Sequence, residues 1–333
     1  MTGTLKEKIL TKLEKSEKNY VSGGQLAESL GVSRTAVWKA ICSLREEGYV
    51  IEATTNRGYR LEEGSDILSA AGIAGYMRNG DISGIHVFRE VDSTNNEAKK
   101  LALAGAPHGT VVAAEKQTAG RGRLGRSFES PAGTGIYFTV IMRPKADLRK
   151  ALLITTAAAV AVCRSIRELT GKQALIKWVN DIYLEEKKLC GILTESTTDF
   201  ETGELESVVT GIGINFRTPG SAFSEEARAR GICSLYGPDS DTGGTEKPPV
   251  TRNELIARII DELTDICDDL DDRSFLTDYR RWSMVIGREI LCIRGKERRK
   301  VRALDIDEWG GLVVMTEDGN RETLSSGEIS VRW

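Results

Sequence analysis

GRGRLGR, Gly120 to Arg126, sets three glycines and three arginines within seven residues, shortly after the strand-like run Gly109 to Glu115. Glycine allows positive φ and a close backbone approach, while each guanidinium offers a planar fork of donors matched to carboxylate or phosphate oxygens. The heptad reads as an anion clamp, with a solvated basic turn as the alternative for the stretch taken alone. Gly120, Gly122 and Gly125 satisfy G-x-G-x-x-G, but a dinucleotide fingerprint needs a helix to begin there. The next residues are SFESPAGTGIYFTVIM, in which Pro131, Gly133 and Gly135 oppose a helix and Ile136 to Met142 reads as a strand. The match is therefore accidental, and the absence of G-x-x-x-x-G-K-[ST] excludes a P-loop.

The chain has 333 residues, a length that suggests two or three domains. With 40% hydrophobic and 29% charged residues and a net charge of -3, it has the composition of a soluble globular protein. Mild acidity argues against a surface coated for nucleic acid and leaves room only for a local DNA-reading face. Cys42, Cys163, Cys190, Cys233, Cys267 and Cys292 form no C-x-x-C pair, and the two histidines are His86 and His108. No structural metal site is expected, and reduced thiols in a cytosol are the default. The charged N-terminus lacks an apolar signal core and no apolar run of about 18 residues occurs later, so a cytoplasmic chain without a membrane partner is expected.

Leu5, Ile9, Leu10 and Leu13 recur at helical spacing over residues 5 to 17. Beyond SGG, a helix breaks at Gly31, and Ser33 stands as N-cap to a longer helix that Gly48 ends. YVIEA, the turn TTNRG and YRL then form a small hairpin. This is a winged helix-turn-helix pattern, in which the second helix enters the major groove. Ser33, Arg34, Thr35 and Lys39 are the candidates for bases and phosphates, with Arg57 on the wing. A purely structural or protein-binding module is the competing reading. Residues 1 to 63 hold 10 Lys/Arg against 9 Asp/Glu, a net of +1, so dimerisation has to supplement weak nonspecific DNA affinity.

Glu62 to Ser65 reads as a linker, succeeded by a short helix in ILSAAGIAGYMRNG and a strand in GIHVFREV. Asp92, Ser93 and Thr94 precede a helix whose first turn is Asn95 to Ala98. Such side chains either cap exposed N–H groups or hold an amide or ureido group of a small ligand. Gln117 and Thr118 lie beside the clamp, and ALLITTAAAVAVCRSIREL is a helix apolar enough to be buried. ALIKWVNDIYLEEKKLCGILTES predicts two strands around an acidic-basic turn, with Lys177 closing an apolar run, either as a surface charge or as a second cation for the clamp. ESVVTGIGINF is a further strand, and residues 218 to 250 read as a mobile polar connection. One or two helices with a solvated acidic face come next, and from Ile286 short alternating strands predict a small β-barrel.

DSTN at 92 to 95, QTAGRGRLGR at 117 to 126, KWVND at 177 to 181, KKLCGIL at 187 to 193 and GIGIN at 211 to 215 stand in the order seen in biotin protein ligases. The chain resembles that family over essentially its whole length. Its winged helix and the terminal stretch GEISVR are similar to the bifunctional members, which also repress biotin synthesis genes. The resemblance implies an α+β chain with three domains. Residues 1–65 would be the winged helix-turn-helix. Residues 66–283 would be a catalytic domain with a mixed sheet related to class II aminoacyl-tRNA synthetases, and 284–333 an SH3-like β-barrel. It further implies a biotin–[acetyl-CoA-carboxylase] ligase, which converts biotin and MgATP to biotinyl-5′-AMP and then biotinylates a lysine of a biotin carboxyl carrier protein.

Carried over residue by residue, the resemblance assigns catalysis to Arg123 and Lys177. Ser93, Thr94, Asn95 and Gln117 would hold biotin, with Gly120, Arg121 and Gly122 in the loop over it and Arg123 and Lys177 near its carboxylate. ATP and Mg²⁺ would fall to Arg123, Arg126, Trp178, Asn180, Asp181 and Asn215. Biotinyl-5′-AMP would act as corepressor, tightening a homodimer on biotin-operon operator DNA. Val179 stands where many members carry proline. The rival readings are a lipoate or octanoyl ligase on the same scaffold, and a ligand-sensing transcription factor without ligase activity.

Overall fold

Residues 4–14, 16, 19–46, 49–62, 66–81, 83–144, 150–198, 205–237, 248–294 and 297–331 are described by a computed structural model of the chain. Gly48, linker residues 63–65, residues 238–247 of the Gly/Pro-containing connection and Arg332 of GEISVR lie outside the described residues.

In the N-terminal head, α1 (Leu5–Glu14), α2 (Gly23–Leu30) and α3 (Arg34–Glu46) bury Ile9, Leu13, Leu26, Val37 and Ile41 together. Local chemistry sets the tight turn between the last two. Gly31, at φ 66°, closes α2 in the left-handed region, and Ser33 Oγ accepts the Ala36 N–H at 3.1 Å to open α3. The wing is the antiparallel pair β1 (Ile51–Thr54) and β2 (Gly58–Leu61). Ala71 of the following helix, α4 (Ala70–Tyr76), joins the core of the head, so the head packs directly on the central unit.

The central unit continues with β3 (Ile85–Phe88), α5 (Thr94–Leu103), β4 (Val111–Ala114), β5 (Ile136–Met142) and α6 (Lys150–Thr170). Then come β6 (Leu175–Lys177), β7 (Asp181–Leu184), β8 (Lys187–Thr198), β9 (Leu205–Ile214), α7 (Glu225–Ala229), α8 (Arg252–Asp268) and α9 (Phe275–Arg281). Seven strands form one mixed sheet in the order β3-β4-β5-β9-β8-β7-β6, in which the β3–β4 pair is parallel and the other neighbours are antiparallel. Every residue of β5 is buried because both faces of the sheet are covered. Alternation divides the side chains: Val112, Ile141 and Val209 meet Ala98 and Ala102 of α5, while Val111, Val140 and Ile212 join the core containing α6 and α8.

Two expectations change here. The stretch from Ala174 to Ser196 holds three strands rather than two, because Trp178 to Asn180 make a tight connection between β6 and β7. Neither glycine nor the usual turn proline marks that bend, and the Trp178–Val179 peptide is cis. The connection expected to be a mobile loop is folded from 218 to 237. It contains α7, buries Phe223, Leu235 and Tyr236, and pairs with the sheet through Lys188 N to Gly231 O at 2.8 Å and Cys233 N to Lys188 O at 3.0 Å.

The C-terminal unit is an antiparallel five-stranded sheet of β10 (Glu289–Arg294), β11 (Glu297–Ile306), β12 (Leu312–Thr316), β13 (Arg321–Leu324) and β14 (Glu328–Val331), ordered β13-β12-β11-β10-β14. Among the described residues no helix is long and apolar enough to cross a membrane.

Helix α6 has a strict packing requirement, since Ala157, Ala158, Ala159 and Ala161 are all wholly buried. Small side chains let it lie close to its neighbours, and added volume has nowhere to go. Ala161→Leu is expected to cost about 1–3 kcal/mol of stability, read as a lower midpoint of urea unfolding with an unchanged slope.

Candidate functional site

Helix α5 begins at Thr94, with Ser93 in the N-cap position, yet the Ser93 hydroxyl makes no capping hydrogen bond although only 2% of the residue is exposed. Capping therefore does not account for this serine. Thr94 donates to Gln117 Oε1 from its backbone N–H at 2.9 Å and its hydroxyl at 3.2 Å, and Gln117 Nε2 donates to Ser130 Oγ at 2.8 Å. Thr139 Oγ1 lies 2.9 Å from Thr94 Oγ1 and 2.7 Å from Asn95 Oδ1. Asn95 Nδ2 in turn donates to Leu193 O at 3.1 Å and Glu195 Oε2 at 2.8 Å. These polar groups, gathered from α5, β5, β8 and the segment after β4, form one connected and largely buried end of a cavity.

GRGRLGR forms a narrow loop: Gly122 N donates to Arg126 O at 2.7 Å, Phe128 N to Gly120 O at 2.8 Å, and Leu124 sits at its tip with φ 56°. Gly120 is a packing requirement rather than part of the cavity lining, since a Cβ there would lie 2.4 Å from Phe128 O. Arg123 bridges two elements, donating to Asn180 Oδ1 and to Gly327 O, each at 2.9 Å. Arg121 instead pairs with Glu195 Oε2 at 2.7 Å. Burial would raise the Glu195 carboxyl, but hydrogen bonds from Lys99 and Asn95 and the charges of Lys99 and Arg121 hold it below the ordinary value.

Lys177 ends β6 with Nζ 3.5 Å from the Tyr183 hydroxyl and 5.5 Å from the centre of its ring. Asp181 is paired with Lys188 at 2.7 Å. Trp178 is buried, and its indole N–H donates to Gly310 O at 3.0 Å. The ring is thus packed rather than open and anchors the C-terminal sheet as well as bordering the cavity.

Many of these side chains border one cavity of about 340 Å³, while Ser130, Thr139 and Glu195 support it from behind its lining. Ser93, Thr94, Asn95 and Gln117 line one part; Arg121, Gly122, Arg123 and Arg126 come from the loop; Lys177, Trp178, Asn180, Asp181 and Asn215 complete the set expected from sequence. Sequence reasoning missed Phe128, Ile329 and the wall at 223–230, including Phe223, Ser224 and Arg230. Glu129 holds that wall by accepting from Ser224 N at 2.8 Å and Ser224 Oγ at 2.5 Å. The only local signal was Ser224 before Glu225 and Glu226, a helix start inside the polar connection.

A second surface lies on the head. Arg34, Thr35 and Lys39 are exposed on α3, whereas the Ser33 hydroxyl is engaged in capping. Trp38, passed over in the sequence, is 56% exposed on the same helix. On the wing, the Arg57 and Arg60 guanidinium carbons each lie 4.8 Å from the centre of the Tyr20 ring.

Comparison with known proteins agrees with this arrangement. Residues 87–215 match the Biotin/lipoate A/B protein ligase family, residues 6–60 an HTH domain, and residues 285–332 the Biotin protein ligase C terminal domain. The Bifunctional ligase/repressor BirA of Bacillus subtilis is 33% identical over 338 residues, covering 98% of this chain and 98% of that protein. This chain belongs to the bifunctional biotin ligase/repressor family. The Escherichia coli member is 30% identical over 332 residues, covering 99% of this chain and 98% of its own. Among solved structures, the biotin protein ligase from Aquifex aeolicus in complex with biotin and ATP is 27% identical with a TM-score of 0.59, covering 75% of this chain and 99% of that one.

Glycines of β9 set the depth of the ligase cavity. A Cβ on Gly211 would fall 2.0 Å from Asn95 Oδ1, and one on Gly213 would fall 2.6 Å from the Phe128 ring. Gly211→Ala should displace Asn95 and lower stability by about 1–3 kcal/mol, with a fall in biotin affinity by calorimetry. Unchanged affinity would show that Asn95 does not shape the cavity.

Proposed function

We propose that this chain activates biotin as biotinyl-5′-AMP, transfers it to a lysine of a biotin carboxyl carrier protein, and represses transcription when loaded with the adenylate. The observation that carries the ligase reading is that Arg123 and Lys177, from distant segments, border the same cavity as buried Ser93 and Thr94 and the half-buried Gln117. The proposed division is 1–65 for the DNA-binding head, 66–283 for the catalytic unit and 284–333 for the C-terminal barrel. A cytoplasmic location accords with its use of ATP, carrier protein and operator DNA.

The first step joins two species that repel one another. A carboxylate oxygen forms a bond to the α-phosphorus as the bond to the β-phosphate oxygen breaks, and pyrophosphate leaves. Fixed cations lower that barrier when they face oxygens that gain charge. Arg123 is held in place by Asn180 and Gly327, and Lys177 supplies a compact ammonium from the other segment. At the other end of the ligand, Ser93, Thr94 and Gln117 present hydroxyl and amide groups suited to the ureido ring. Mg²⁺ neutralises triphosphate charge when bound with ATP and needs few protein ligands, for which Asn180 and Asp181 offer oxygens. Asn215 and Arg126 complete the nucleotide side. In the second step the carrier's lysine amine attacks the acyl carbon and AMP departs, while the loop shields the mixed anhydride from water.

The full-length protein incubated with biotin and MgATP labelled at the α-phosphate should retain labelled adenylate. Labelling with lipoate or octanoate but not biotin would transfer the assignment to the rival ligases, and no labelling with any acid would overturn it. Lys177→Ala and Arg123→Ala should each slow adenylate formation roughly 10²–10³-fold, with Lys177→Ala melting close to the parent. Normal turnover in either variant would remove its assigned role.

For the repressor role, the adenylate tightens a homodimer whose α3 helices read the operator, with Arg34, Thr35 and Lys39 as contacts and Arg57 on phosphate. Gel shifts on biotin-operon DNA should show tighter binding with biotin and ATP present, and Trp38→Ala should weaken the operator complex more than a random-sequence complex. Equal affinity with and without the two ligands would refute corepression.

A further inference from the structure

Glu195, in the second half of β8, belongs to none of the sequence motifs, yet it gathers donors from three places. Its Oε1 accepts from Lys99 Nζ at 2.6 Å, and its Oε2 accepts from Asn95 Nδ2 at 2.8 Å and from Arg121 at 2.7 Å. The Glu195 side chain is 21% exposed and that of Arg121 38%. The carboxylate cannot swing away without cost, since Asn95 is fixed from its other side by Thr139 and by Leu193 O.

We propose that Glu195 is the latch of the cationic loop: it fastens Arg121 to β8 and α5, and so holds GRGRLGR closed over the cavity. Arg121 is then a positioning residue that fixes the lid, while Arg123 and Lys177 face the reacting anions. Two features favour a latch over an incidental surface pair. One carboxylate serves two cations, so the salt bridge to Lys99 anchors Glu195 when Arg121 lets go. The same carboxylate is hydrogen-bonded to Asn95, beside Thr94 and the Gln117 contact, so the fastening point is the helix start that forms the polar end of the cavity. Loop closure and the geometry of that end are mechanically joined.

The loop has three trypsin sites, Arg121, Arg123 and Arg126, which makes closure measurable without any ligand. In the full-length protein, Glu195→Gln should speed nicking after Arg123 and Arg126 about fivefold, near the upper range for a half-exposed pair. Arg121→Gln, a change in the loop itself, should do the same, and the double variant should be no faster than either single one. Glu195→Asp should restore part of the protection. Lys99→Met, which leaves the Arg121 pair intact, should have a smaller effect. Parental nicking rates in Arg121→Gln, or effects of the two single changes that multiply in the double variant, would overturn the latch. A second readout rests on the ligase reading: Glu195→Gln should shorten the half-life of retained biotinyl-5′-AMP in a chase more than it slows its formation. If the parent makes no adenylate, the ligase reading fails while the proteolysis still decides the latch; unaltered retention in Glu195→Gln beside faster nicking would refute lid closure as the function of the pair.

Discussion

One guanidinium of the loop GRGRLGR holds it to the rest of the cavity wall. Arg123 donates at once to Asn180, in the bend between β6 and β7, and to Gly327 O, just ahead of β14. A cation that helps a carboxylate approach a triphosphate is effective when its position costs nothing to establish at the moment of reaction. Held by two acceptors on separate elements, Arg123 would meet that condition in the adenylation proposed above, where a flexible lysine would not. The same bridge gives the small C-terminal sheet a reason to be present. A sheet of that size contributes little core of its own, but it supplies Gly327 O to Arg123 and Gly310 O to Trp178, and Ile329 to the cavity wall.

Close approach is the second constraint. β9 and β8 run under the cavity, and Gly211 and Gly213 leave room for Asn95 and the Phe128 ring where any side chain would collide. The cavity is therefore shaped by absent side chains on the sheet and by present ones on α5 and the loop. Ser93, at the start of α5, makes no capping bond and lines the same cavity, at a helix start whose N–H groups favour polar ligands.

Much of this was legible in the chain because the signals were local. Gly31 and Ser33 marked the turn between two helices, and the glycines of GRGRLGR with Pro131 after them ruled out a helix there. The Ala-rich run of α6 announced its own burial. The features that could not be read depended on partners far away in sequence. The bend at Trp178 to Asn180 carries no glycine or proline, so two strands were counted where tertiary pairing makes three. Helix α7 is five residues long, too short to show a periodicity, and it is held by Glu129 and the edge of β8. Nothing near Trp178 in sequence reveals that its indole N–H is taken by Gly310. Glu195 could not be distinguished from any other strand glutamate until Lys99, Asn95 and Arg121 were seen to converge on it.

The connection between head and cavity obeys the same logic of shared anchors. Arg252, at the start of α8 and only 2% exposed, donates to Asp66 at 3.1 Å and to Glu115 at 2.8 Å, and Asn253 Nδ2 donates to Ile67 O at 2.8 Å. Glu115 also accepts from Leu68 N at 3.0 Å. A buried guanidinium between two carboxylates is expensive to disrupt from either side, so the chain leaving the head is fixed where β4 ends. Two residues further on is Gln117, whose amide holds Thr94 and Ser130. The chain leaving the head is thus held by an ionic node only two residues from the glutamine that orients the polar end of the cavity.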